Sequence, residues 1–133
     1  MNIVMVDSGQ LSGDADFPEV NIDKYGWLQF VELDEQEVEE RCWRADVIVS
    51  ANTPITAQVI KESYKCQLII AAGDSTEHID KDAANARGIT ILNVPGVQGD
   101  TAENTQTICN QVVEHINHWL EKQTENDGVD QAS

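Results

Sequence analysis

Residues 68–95 read LIIAAGDSTEHIDKDAANARGITILNVP, and the order of elements within this stretch decides how the chain is built. The opening run LIIAA is short, apolar and partly β-branched, the pattern of a strand buried on both faces. Asp80 then stands where an N-cap belongs for a helix through Arg87, and Gly88 ends it, since glycine takes left-handed backbone at little steric cost. A second apolar run, 89–94, follows at once and Pro95 stops it. Two strands joined through a helix lie parallel, because a parallel pair needs such a crossover.

The same alternation continues toward the amino end. NIVMVD (2–7) is a buried strand, and 8–16 is a Gly, Ser and Asp loop. Phe17, Val20, Ile22 and Tyr25 predict a short helix over 17–26, closed by Gly26. WLQFVEL (27–33) reads as a second strand. Residues 34–43 set Glu35, Glu37, Glu39 and Glu40 against Val38 and Cys42, an amphipathic helix. ADVIVS (45–50) is the third strand, and Thr56 caps a helix through Ser63 with Val59 and Ile60 inward. The fourth strand is 67–72 and the fifth 89–94. Five strands alternating with helices predict a five-stranded parallel sheet covered on both faces, a flavodoxin-like three-layer α/β domain over 1–99.

Toward the carboxyl end the pattern lengthens. Asp100 with Glu103 has the form of a capping box. Thr105, Ile108, Cys109, Val112, Ile116, Trp119 and Leu120 then recur at three- and four-residue spacing. They define a long amphipathic helix over 100–122. Its apolar stripe, ~30 Å long at 1.5 Å per residue, exceeds what a small sheet covers. Ile108, Val112, Ile116, Trp119 and Leu120 are therefore expected at an interface with a second copy. Residues 123–133 are polar and acidic and are expected to be a disordered tail.

Composition narrows the classes of function. The 133 residues carry 24 acids and 8 bases, a net charge of −16. Such a field opposes nucleic acid and anionic membranes, both of which are held through Lys and Arg. No stretch approaches the ~20 apolar residues that span a bilayer. The start MNIVMVD lacks the basic opening of a secretory signal. Cys42, Cys66 and Cys109 are scattered and odd in number. They read as buried thiols of a reducing cytoplasm rather than a disulfide frame or a zinc site.

The segment HIDKDAANARGITILNVPG, with ADVIVSANTPIT before it, resembles the substrate-binding domain of the D-2-hydroxyacid dehydrogenases, the glycerate and 3-phosphoglycerate dehydrogenases among them. The family pattern N-[IV]-D-x-x-A-A-x-x-x-G-I-x-V-x-N-x-P is met at Ile79, Asp80, Ala83, Ala84, Gly88, Ile89, Asn93 and Pro95. The likeness runs from Asn2 to about Leu120. It implies that Gly73, Asp74, Ser75 and Thr76 occupy the loop whose amides receive a substrate carboxylate, with Asn52 across from them. It also implies departures. Asp74 replaces a small hydroxyl residue, Ser75 a glycine, and Ala51 and Asn52 stand where relatives place a cation. A fixed charge about 4 Å from a bound carboxylate costs on the order of 1 to 4 kcal/mol. The family's reacting Arg, Glu and His and its GxGxxG turn belong to a nucleotide-binding domain, and nothing in this chain matches them.

Other constellations are weaker. Glu114, His115 and His118 could mark a metal face, but they read as exposed polar residues. His78 beside Glu77 is expected to brace a loop. Asp7 at a strand end resembles a phosphoacceptor, yet Ser50 and Asn93 replace the acid and the lysine such a site needs. SGQLSG (8–13) is a faint phosphate loop opposed by Asp14 and Asp16. The sequence thus predicts a catalytically silent substrate-domain relative with no NAD site and no metal, acting as a binding or interaction module and a homodimer. Its alternative is one half of a split dehydrogenase whose nucleotide domain lies on another chain, or a truncated remnant of one.

Overall fold

A computed structural model describes residues 1–132, and the side chains of residues 1–123. The strands are β1 (Asn2–Met5), β2 (Gly26–Gln29), β3 (Val47–Ser50), β4 (Leu68–Ala71) and β5 (Thr90–Leu92). They form one parallel sheet in the order β2-β1-β3-β4-β5, the expected flavodoxin-like arrangement. The helices are α1 (Glu35–Cys42), α2 (Ala57–Glu62), α3 (Lys81–Ala86) and α4 (Ala102–Ala132).

Alternate side chains of the central strands feed two cores. Val4, Ile48 and Ile69 meet Val38 and Cys42 of α1, Val59 and Ile60 of α2, and Ala84 of α3. On the other face Ile3, Met5, Val47, Val49, Leu68 and Ile70 meet Ile108, Val112, Val113 and Ile116 of α4. Burying each such Val or Ile is worth about 1.5–3 kcal/mol, so a sheet apolar on both faces must be covered on both.

Three sequence expectations need correction. Residues 17–26 form no helix, and Gly26 opens β2 instead of closing one. The backbone donors there turn to side chains instead of a helical ladder: Val20 N–H donates to Tyr25 Oη (3.2 Å) and Asn21 N–H to Asn117 Oδ1 (2.8 Å). The long helix starts at Ala102, its cap is Thr101, whose hydroxyl accepts from Asn104 N–H (3.0 Å), and Asp100 instead accepts from the Asn104 side chain (3.0 Å). Its backbone runs on to Ala132, past Lys122. The side chains of the acidic tail, beyond Gln123, lie outside the described residues.

The third correction concerns the apolar stripe. Ile108, Val112 and Ile116 are wholly buried within this chain, while Trp119 and Leu120 pack partly against the same core. Leu11, Phe17, Val20, Ile22 and Tyr25 lie on that face too. The irregular 11–25 segment thus widens the apolar floor under α4, so the sheet does not cover the helix alone.

Candidate functional site

The site is assembled at the carboxyl ends of the strands. Asp7, two residues beyond β1 and wholly buried, is its organiser. One carboxylate oxygen accepts from Ala51 N–H at 2.8 Å. The other accepts from Asn52 N–H (2.8 Å), Thr53 N–H (2.7 Å) and the Thr53 hydroxyl (2.8 Å). Four donors satisfy a carboxylate that forms no ion pair among the described residues, as burial of a charge demands. The loop after β3 is thereby fixed to the end of β1.

A second set of bonds ties that loop to the one after β4. His78 Nε2 lies 3.0 Å from the Ser50 carbonyl, the bracing role the sequence pointed to. Ile55 N–H donates to the His78 carbonyl (2.8 Å), and Asp80 N–H to that of Ile55 (3.0 Å).

Within the second loop, Val94 N–H donates to the Gly73 carbonyl (2.9 Å) and Asn93 Nδ2 to that of Asp74 (2.7 Å). Asp74 Oδ1 accepts from Gly96 N–H at 2.7 Å. Gly96 has φ 76, left-handed backbone that suits glycine. Asp74 is therefore held toward the 96 turn. The amides of Gly73, Asp74, Ser75 and Thr76 meet no acceptor among the described residues.

Asn52, Gly73, Asp74 and Ser75 come together around a hollow of about 280 Å³, with Gln10 and Gln98 completing its walls, while Thr76 falls outside the lining. A neighbouring hollow of about 430 Å³ shares Gln10 and Asn52. Among the described residues no Lys, Arg or His lines either. Sequence reasoning missed the clamp of Asp7 and the parts of Gln10 and Gln98. The one available signal was an acid closing an otherwise apolar strand.

A dinucleotide's pyrophosphate is received by close backbone approach at a glycine-rich turn and by a free helix N-terminus. Here Asp34 already accepts from Glu37 N–H at the start of α1, and Asp80 from Ala83 N–H at the start of α3.

The helix face carrying Glu114, His115 and His118 differs from expectation. His115 is half-buried, with Nε2 2.8 Å from the Asn93 carbonyl, and His118 meets Glu121 at 3.9 Å. Among the described residues no three His, Cys, Asp or Glu side chains converge on a metal position. Cys42, Cys66 and Cys109 are free and buried. Burial, the largest cause, raises their thiols from 9.0 to about 12, 11 and 11.

The profile of the D-isomer specific 2-hydroxyacid dehydrogenase catalytic domain matches residues 7–130. A Haemophilus influenzae protein carried under the name 2-hydroxyacid dehydrogenase is 24% identical over 126 residues, which cover 94% of this chain and 40% of that protein. Homo sapiens D-3-phosphoglycerate dehydrogenase is 29% identical over 92 residues, covering 66% of this chain and 17% of that protein. The chain therefore spans less than half the length of these relatives. NAD+-bound 3-phosphoglycerate dehydrogenase from Entamoeba histolytica superimposes with a TM-score of 0.58 at 23% identity. It covers 72% of this chain and 33% of that one, a likeness of fold.

Proposed function

The chain belongs to the D-isomer specific 2-hydroxyacid dehydrogenase family, and from that premise we propose that it is a catalytically silent binding module. On this reading the family's cleft survives as a receptor for small monocarboxylates, with no hydride transfer of its own. One observation carries it: among the described residues the amides of Gly73–Thr76 meet no acceptor, and no Lys, Arg or His lines the hollow that Gly73, Asp74 and Ser75 border. Amides alone, with no side-chain cation beside them to share the charge, receive an anion weakly. Calorimetry with glyoxylate and pyruvate should show weak binding that strengthens about tenfold in Asp74→Asn. NADH should give no heat. Unaided oxidation of a 2-hydroxy acid, or tight NADH binding, would sink the proposal.

A second reading makes this chain the substrate half of a dehydrogenase whose nucleotide half is separate. Its support is that the profile matching residues 7–130 is that of the family's catalytic domain. Mixing with a Rossmann-type partner should then restore activity, and no gain on mixing would count against it. For a homodimer, the remaining candidates on the α4 stripe are Trp119 and Leu120, which are only half-buried. Trp119→Asp should delay elution in size-exclusion chromatography if that face is used. The three free cysteines suit a reducing, cytoplasmic setting.

A further inference from the structure

The two hollows share the side chains of Gln10 and Asn52, and only the smaller has been given a ligand. The larger is lined by Leu33, Glu35, Thr53, Pro54 and Thr56, drawn from the loops after β2 and β3 and the start of α1. It lies beside the junction of β1 and β3, where the chain's connections diverge toward opposite sheet edges. Open α/β sheets place ligands at that switch point. At about 430 Å³ the hollow is more than ten times the ~30 Å³ share of one water, room for a side chain of several heavy atoms.

Its polar walls are unevenly committed. The Thr56 hydroxyl accepts from Val59 N–H, and the Thr53 hydroxyl donates to Asp7. The side chains of Gln10, Asn52 and Glu35 form no hydrogen bond among the described residues. Among the described residues Glu35 is the one charged residue lining the larger hollow, and Asp74 the one lining the smaller. Glu35 also stands outside the capping box of α1, which is formed by Asp34 and Glu37.

Resting on the carboxylate reading above, we infer that the larger hollow receives the side chain of the bound acid and selects a cationic one. The ligand class is a 2-oxo or 2-hydroxy acid with an ammonium or guanidinium end. Its carboxylate meets the amides of Gly73–Ser75, its middle passes between Gln10 and Asn52, and its cation meets Glu35. A phosphorylated acid is excluded, because its dianion would face Glu35 and Asp74 with no base to offset them.

Calorimetry on the whole chain tests this with four probes. 2-Oxo-5-guanidinopentanoate should bind at least tenfold tighter than 2-oxopentanoate, and 3-phosphoglycerate should bind weakest. Agmatine, the cation without the carboxylate, should bind at least tenfold weaker than the guanidino acid, which separates a built site from general attraction to an acidic surface. Glu35→Gln should remove the preference for the guanidino acid over 2-oxopentanoate. Equal binding of the two oxo acids, tighter binding of 3-phosphoglycerate, agmatine matching the guanidino acid, or no effect of Glu35→Gln would each overturn the inference alone. Failure of every acid to bind would remove the carboxylate reading beneath it.

Discussion

Asp7 is held by hydrogen bonds from residues 44 to 46 positions away, and that separation explains why its role was hidden in the sequence. NIVMVD announces a buried strand, but nothing local says where the final carboxylate points. The clamp predicts a specific cost. In Asp7→Asn one acceptor becomes a donor facing backbone N–H groups, so stability should fall by about 1–3 kcal/mol. A urea midpoint unchanged from the parent would show that the clamp is not a stabilising contact. The thiols make a second prediction at this scale. Cys42 is raised from 9.0 to about 12 and Cys66 to about 11, chiefly by burial. A thiol that keeps its proton longer in the native state favours unfolding once the unfolded form ionises. Stability is therefore intact below pH 9.0 and falls between pH 9.0 and 11–12, by about 1.4 kcal/mol per thiol per unit. Urea midpoints at pH 8 and pH 10 test the sign, and equal midpoints would refute it.

Elements whose ends are set by neighbouring residues were legible. Thr56 accepts from Val59 N–H (3.2 Å) and Asp80 from Ala83 N–H (3.0 Å), caps readable because donor and acceptor lie three positions apart. The 17–26 segment was not, because its apolar residues answer to α4 and the sheet rather than to a helical period. The cap of α4 sat one residue from the predicted place, since Asp100 and Thr101 both suit an N-cap by residue type. In the site, the 73–75 loop and Asn52 were named through the family resemblance, whereas Gln10 is brought to the same hollow by the fold. Arg87 shows how a short helix is finished. Its guanidinium donates to the carbonyls of Ile60, Ser63 (3.1 Å) and Tyr64 (3.0 Å), at and just past the carboxyl end of α2. A six-residue helix leaves most of its carbonyls unpaired, so this contact matters more than in a long one. Arg87→Ala should lower stability by about 1 kcal/mol, with Arg87→Lys recovering only part because an ammonium lacks the planar fork. Full recovery by lysine, in thermal melts, would show that charge alone is at work.

Over the whole molecule the acids outnumber the bases 24 to 8, and few of the bases are spent on them. Arg41 lies over the Phe30 ring (5.3 Å), Arg44 over Trp43 (5.0 Å), and Arg87 on carbonyl oxygens. The ion pair formed among the described residues is His118 with Glu121, 3.9 Å apart and mostly exposed, a geometry worth little. The acidic surface is thus repelling itself, most densely on α1, whose eight residues are EQEVEERC. Like charges four apart on a helix destabilise it by about 0.2–0.5 kcal/mol per pair, and Glu35 with Glu39 is such a pair. Salt should relieve this. Raising NaCl from 10 mM to 1 M shortens the screening length from about 30 Å to about 3 Å, so the melting temperature should rise by about 5 °C, given roughly 3–6 °C per kcal/mol for a domain of this size. Glu39→Gln should raise it in 10 mM NaCl and lose that advantage in 1 M. The pairing of those two results matters, since salting-out of apolar surface would also stabilise the parent at high salt but would leave the Glu39→Gln difference unchanged. A melting temperature flat in salt, with Glu39→Gln neutral throughout, would mean that the acids are already far enough apart for water to separate them.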